Sequence, residues 1–231
     1  SQAPRVVRCI PTGSPASATR TTTYSARSSG GTMKFTFPSD IEGYLEEAEG
    51  RFLYSQALAA VARAQTPQTL IVELGAYKGR STICLAQGIL TATEVAETDV
   101  GLVITVDHFQ GESLPWMDLY PDYRQGSYKE VLIENLLKHG VSGVVAIMEQ
   151  HTSHVPAFIQ SPIELLFIDA DHSQGAVEAD LKAWLPQLST TGHLLLHDRT
   201  ADGPAWAMRF LSDHGWIVEG GPGSLAHAYL P

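Results

Sequence analysis

Three carboxylates in this chain each close an apolar run. Asp107 follows Leu102-Val-Ile-Thr-Val106, Asp169 follows Glu164-Leu-Leu-Phe-Ile168, and Asp198 follows Leu194-Leu-Leu-His197. A charged group at the carboxyl end of a buried strand faces the crevice where ligands of open sheets bind. Asp107 in such a place can accept hydrogen bonds from both ribose hydroxyls of a nucleoside. His172 lies three residues past Asp169, and an imidazole with an ordinary pKa near ~6.5 suits removal of a proton from a hydroxyl. Asp171, with Gln174 three residues on, reads instead as the N-cap of a following helix.

The densest signal is Leu70-Ile-Val-Glu-Leu-Gly-Ala-Tyr-Lys-Gly-Arg-Ser81. It reads as a buried strand, a glycine turn and a helix whose first turn holds Ser81 and Thr82. Gly75 permits backbone angles that other residues resist, Gly79 permits close approach, and the amides of the helix start can receive an anionic group. Only Tyr77 and its two neighbours separate the glycines. The dinucleotide fingerprint needs Gly-x-Gly-x-x-Gly, so a pyrophosphate cradle is disfavoured.

The elements that must position these groups follow from periodicity. Leu53, Ala57, Leu58 and Val61 recur at helical spacing within 49–65, ended by Thr66-Pro67. A strand at 69–74, a helix at 80–90 and a strand at 102–106 then imply a right-handed parallel unit. The rhythm continues with a helix near 127–139, strands near 143–148 and 163–168, a helix at 173–185 and a strand at 192–197. Gly215-Trp-Ile-Val218 and Leu225-Ala-His-Ala-Tyr229 flank Gly220-Gly-Pro-Gly223, which predicts a closing antiparallel hairpin. The expectation is a doubly wound, mostly parallel α/β sheet with helices on both faces.

Composition narrows the function. The 231 residues, 44% of them hydrophobic, suit one domain. A net charge of −10 without a Lys/Arg cluster argues against nucleic acid. No apolar run approaches the ~20 residues that cross a bilayer. The two cysteines, Cys9 and Cys84, suggest no disulfide framework, and a cytoplasmic setting is expected. Residues 1–32 carry Arg5, Arg8, Arg20 and Arg27 without one acid and are rich in Ser, Thr, Ala, Pro and Gly. That segment is expected to be a disordered extension or a mis-assigned start, with a transit peptide as the alternative and a single domain at 33–231.

With these motifs placed, the chain resembles class I S-adenosylmethionine-dependent methyltransferases over nearly all of 40–230. Val72-Glu-Leu-Gly-Ala-Tyr-Lys-Gly79 looks like the first motif of catechol-type O-methyltransferases. Phe167-Ile-Asp-Ala-Asp-His172 followed by Leu194-Leu-Leu-His-Asp198 is similar to the small metal-assisted O-methyltransferases that act on phenols, caffeoyl thioesters or antibiotic sugars. The resemblance implies a seven-stranded sheet of order 3-2-1-4-5-7-6. It implies that S-adenosylmethionine is held by Gly75, Ala76, Tyr77, Gly79 and Ser81, by Asp107 and His108, and by Asp169, with Glu73 at its methionine part. Gln150, His151 and Thr152 would neighbour the adenine. Asp169 and Asp198 would ligate a divalent cation such as Mg²⁺, with His197 a third ligand or a packing group where relatives carry an oxygen pair. His172 would be the base.

The implied reaction is methyl transfer to a hydroxyl of a small molecule. Alternatives are a metal-independent version using His172 alone, an NAD-dependent oxidoreductase, and a non-catalytic nucleotide-binding partner protein. The aromatic segment 109–123, with Trp116, Tyr120 and Tyr123, would wall the acceptor, form a homodimer contact or pack locally.

Overall fold

A computed structural model describes residues 34–109, 128–154 and 159–231. The aromatic segment containing Trp116, Tyr120 and Tyr123 therefore lies outside the described residues, as do Cys9 and the arginine-bearing first 32. The element order is α1 Glu47–Arg63, β1 Thr69–Leu74, α2 Arg80–Ala96, β2 Gly101–Asp107, α3 Lys129–Lys138, β3 Val145–Glu149, β4 Ile163–Ile168, α4 Gln174–Trp184, β5 Leu188–Leu196, α5 Asp202–Asp213, β6 Ile217–Gly220 and β7 Ala226–Tyr229.

These strands make one seven-stranded sheet in the order β3-β2-β1-β4-β5-β7-β6. The first five run parallel, and β7 pairs antiparallel with both β5 and β6. Alternation along the central strands sorts side chains to two apolar layers. Ile71, Val103, Leu165, Phe167 and Leu195 meet Leu53 and Ala57 of α1 and Ile83 of α2 on one face. Val72, Leu74, Val106, Leu166 and Leu196 meet Val177, Leu181 and Trp184 of α4 and Leu211 of α5 on the other. Burying both faces explains why β1 and β4 are apolar on both sides apart from Thr69, Glu73 and Glu164. No helix among the described residues is long and apolar enough to cross a membrane.

Two local expectations need correction, and one helix, α5, was not among the elements read from the sequence; Gly203 and Pro204 stand in its first turn. Pro204 is tolerated there because first-turn amides lack helical partners anyway. At Gly203 a Cβ would lie 2.6 Å from the carbonyl oxygen of Ser173 and 2.6 Å from Val177, so glycine lets α5 approach the start of α4. The N-cap of α4 is Ser173, whose Oγ accepts from the Ala176 amide at 3.4 Å. Asp171 is one step further out, accepting from the Ser173 amide at 2.7 Å. Strand β5 begins at Leu188 rather than 192 because Ser189 and Thr191 donate to the buried Glu164 on β4, at 2.9 and 3.1 Å.

Candidate active site

The parallel arrangement brings the carboxyl ends of β1, β2, β4 and β5 to one rim, where a cavity of about 970 Å³ opens. Gly75 makes that convergence possible. Its φ is +91°, and a Cβ would stand 2.1 Å from the carbonyl oxygen of Asp169. The Asp169 amide donates to the carbonyl of Leu74 at 2.8 Å, and the Gly75 amide donates to that of Val106 at 2.9 Å. Backbone thus packs against backbone where β1 meets β4, a contact only glycine permits. Gly79 also has φ +91° and admits Leu132 of α3, whose Cδ1 would lie 2.4 Å from an added Cβ.

Asp107 is a fastener of this bend. Its Oδ2 accepts from the amides of Ala76 and Tyr77 at 2.9 and 3.0 Å, and its Oδ1 accepts from the Phe109 amide at 2.8 Å. A carboxylate offers about four lone-pair sites. Three are occupied by backbone, and Asp107 lines the cavity.

Glu73 is likewise bonded to the chain. It is fully buried, lies behind the cavity wall, and accepts from Ser81 Oγ and Thr82 Oγ1 at 2.5 Å each and from Thr105 Oγ1 at 2.7 Å. Burial pushes its carboxyl up to about 7 despite these three hydroxyls, and the charge of Asp169 adds to the rise. Its role is to anchor the first turn of α2 and so to hold Ser81 at the cavity. Neither Lys78 nor Arg80 pairs with it: Lys78 meets Glu42 at 2.6 Å, and Arg80 donates to the carbonyls of Ile41, Gly43 and Leu45.

Of the other residues singled out in the sequence, Ala76, Tyr77, Ser81, His108, His151, Thr152, Asp169, His172, His197 and Asp198 line the cavity. Gly79 and Gln150 do not, although the Gln150 amide ties its loop to the carbonyl of Asp107 at 3.0 Å. His108 and His151 face each other with ring centroids 6.2 Å apart. Phe109, read as part of an aromatic loop, is instead in the core at 1% exposure with φ +57°.

The second half of the site lies where β4 and β5 end. Nε2 of His172 is 3.6 Å from Asp169 Oδ1 and 3.4 Å from Asp198 Oδ2. Nδ1 of His197 is 3.2 Å from Asp169 Oδ1 and 3.5 Å from Asp198 Oδ2. One donor atom from each of the four residues fits within a 4.8 Å span. Both of those ring nitrogens are buried without a hydrogen-bond partner. Burial would raise Asp169, but the two histidines outweigh it and hold the carboxyl at about 2. Burial would lower His197, yet Asp169, Asp198 and Glu49 lift it to about 10. Asp169 likewise raises His172 against its burial. Asp198 has φ +49°, a left-handed conformation that aspartate tolerates better than most residues.

Two contributors were invisible in the sequence pattern. Gly43, Tyr44 and Leu45 roof the cavity, held there by Arg80 across 35 or more positions of chain. Glu49 of α1, 2% exposed, approaches His197 Nε2 at 3.4 Å.

Residues 72–199 match the methyltransferase domain family. The chain belongs to that family, and its sheet order and glycine bend are those of the class I S-adenosylmethionine-dependent methyltransferases. Among solved structures, the O-methyltransferase NovP is 14% identical, with 78% of this chain and 79% of that one covered and a TM-score of 0.61. The TDP-rhamnose 3'-O-methyltransferase CalS11 of calicheamicin biosynthesis is 21% identical over 80% and 81% of the two chains, at a TM-score of 0.54. An O-methyltransferase from Bacillus cereus in complex with SAH is 15% identical over 81% and 83%, at 0.54.

Proposed function

We propose that the protein transfers the methyl group of S-adenosylmethionine to a hydroxyl of a small molecule, assisted by a divalent cation. The observation that carries this reading is the convergence of two buried ring nitrogens and two carboxylates beside the cavity, one donor atom from each of the four residues within 4.8 Å of the others. Two carboxylate oxygens and one imidazole suit a divalent ion. Asp169, His197 and Asp198 would hold it, and His172, on the same cluster, would take the acceptor's proton. When bound, the cation would lower the hydroxyl's pKa and stabilise the developing oxyanion.

The chain's own contribution is positioning. The bend at Gly75 and the hydroxyl of Ser81 place the donor, Asp107 keeps the bend closed, and the roof at 43–45 limits water. In-line placement of oxygen, methyl and sulfur can supply effective molarities of ~10⁵ to 10⁸ M. That the structural neighbours are O-methyltransferases supports oxygen as the acceptor atom. The acceptor is proposed to be a phenol, catechol or sugar, and the setting cytoplasmic.

Calorimetric titration with S-adenosylmethionine and with NAD, each with and without Mg²⁺, tests the donor. Uptake of the sulfonium alone is expected. Uptake of NAD alone would replace this reading with a dehydrogenase. Methyl transfer that survives exhaustive chelation would leave His172 as a base without a metal. Binding without turnover across phenols, catechols and sugars would favour a non-catalytic partner protein.

A further inference from the structure

His197 has two ring nitrogens in different surroundings, and Glu49 decides between them. Oε1 of Glu49 accepts from the amide and the hydroxyl of Ser224, at 2.8 and 2.9 Å. Oε2 accepts from the Glu46 amide at 2.7 Å and faces His197 Nε2 at 3.4 Å. Both oxygens already receive backbone N–H groups, so the carboxylate can only accept from the imidazole. A cation held with Asp169 and Asp198 would take Nδ1, the nitrogen turned toward them, and the ring hydrogen would then reside on Nε2, where Glu49 can accept it.

We propose that Glu49 is a positioning residue that sets the tautomer of His197 and makes Nδ1 the cation-binding atom, with the 220–224 turn holding Glu49 in place. The inference rests on the proposed cation-assisted reading of the same site. Three further features support the arrangement. Phe167 of β4 meets the His197 ring edge-on, with centroids 6.5 Å apart at 88°, which limits rotation of the imidazole. Gly223 lies so close to Glu49 that an added Cβ would stand 2.4 Å from Oε1. Arg199 donates from Nη1 to the carbonyls of Gly221 and Leu225, at 3.0 and 3.1 Å, and so ties the turn to the residue after Asp198. The path from turn to cation site is thus Ser224, Glu49, His197. A carboxylate behind a ligating histidine fixes ring orientation and raises ligand basicity, and losing it typically weakens metal affinity by roughly 10- to 100-fold.

The test combines two measurements on the full chain. Mn²⁺ affinity is measured by electron paramagnetic resonance for wild type, Glu49→Gln and Ser224→Ala, with S-adenosylmethionine affinity as the check that the cofactor half is intact. A Gln amide would donate to Nε2 and drive the hydrogen to Nδ1, so the expected loss is about 10- to 100-fold, with a smaller loss for Ser224→Ala. In parallel, ¹⁵N spectra of histidine-labelled wild type loaded with Zn²⁺ should show His197 metallated at Nδ1 and protonated at Nε2. Should Glu49→Gln fail to fold, the wild-type spectrum and Ser224→Ala decide. Metallation at Nε2, or unchanged Mn²⁺ affinity in a folded Glu49→Gln, overturns the inference alone. Absence of any cation uptake by wild type removes the cation-assisted reading and this inference together.

Discussion

The bend after β1 and the cluster after β4 and β5 sit on one rim and handle polarity in opposite ways. At the bend, the two acids are held by the chain: Glu73 takes three hydroxyls and Asp107 three backbone amides. At the cluster, Nε2 of His172 and Nδ1 of His197 are buried with no hydrogen-bond partner. The difference separates scaffold from chemistry. Carboxylates satisfied by the chain stabilise a shape that a ligand then uses. Ring nitrogens that meet only two carboxylates, at 3.2 to 3.6 Å, form a set that a cation could draw on.

The largest way to break this contrast is Gly75→Ala. The methyl would meet the Asp169 carbonyl at 2.1 Å in a left-handed backbone, so a destabilisation of about 3 kcal/mol or more is expected, with both halves of the site lost. Denaturant unfolding and cofactor titration measure it.

Asp169→Ala should separate the halves. Turnover should fall by on the order of 10²- to 10³-fold, as when one preorganised electrostatic group is removed, while some S-adenosylmethionine binding persists. Unchanged turnover would take Asp169 out of the mechanism.

Glu73 offers a pH test of the half held by the chain. Its folded pKa of about 7 lies above the ordinary 4.5, so the folded state holds this proton more tightly than the unfolded chain. The associated stability is fully present below about pH 4.5 and is lost as pH rises through about 7. A shift of this size corresponds to on the order of 3 kcal/mol. Unfolding curves between pH 4.5 and 8 should show that decline in wild type and a flatter profile in Glu73→Gln. Parallel profiles for the two proteins would mean that the three hydroxyls compensate burial completely.

The smallest effect belongs to Asp107→Asn. The amide would turn a donor toward one or more backbone N–H groups, with an expected loss of about 1–3 kcal/mol and weaker cofactor binding. A loss of cofactor affinity with no loss of stability would make Asp107 a ligand-binding group first and a fastener second.

The central sheet was legible because β1 and β4, buried on both faces, leave runs that are apolar apart from Thr69, Glu73 and Glu164, and because Gly75 stands at a turn that demands glycine. Asp169 and Asp198 were legible for the same reason: an acid ending an apolar strand has few explanations. The partners of those acids were not. Glu49 approaches His197 over 148 positions of chain and Ser224 over 175, and in sequence it is one more acid in the first turn of an amphipathic helix. The partners of Glu73, the hydroxyls of Ser81, Thr82 and Thr105, were equally hidden, since motif position says that an acid is needed but not which hydroxyls will meet it. The pleat turns it inward, beneath Ser81 and Thr82.

At the seam between β1 and β4, the Asp169 amide bonds to Leu74 while its carbonyl lies against Gly75. On the proposed reading, the donor and acceptor halves of the site are consequently bolted to one another through main chain, with no side chain acting as a spacer, and exchange of surface loops would retarget the enzyme to a new alcohol while the same two strands gauge the distance from sulfur to oxygen.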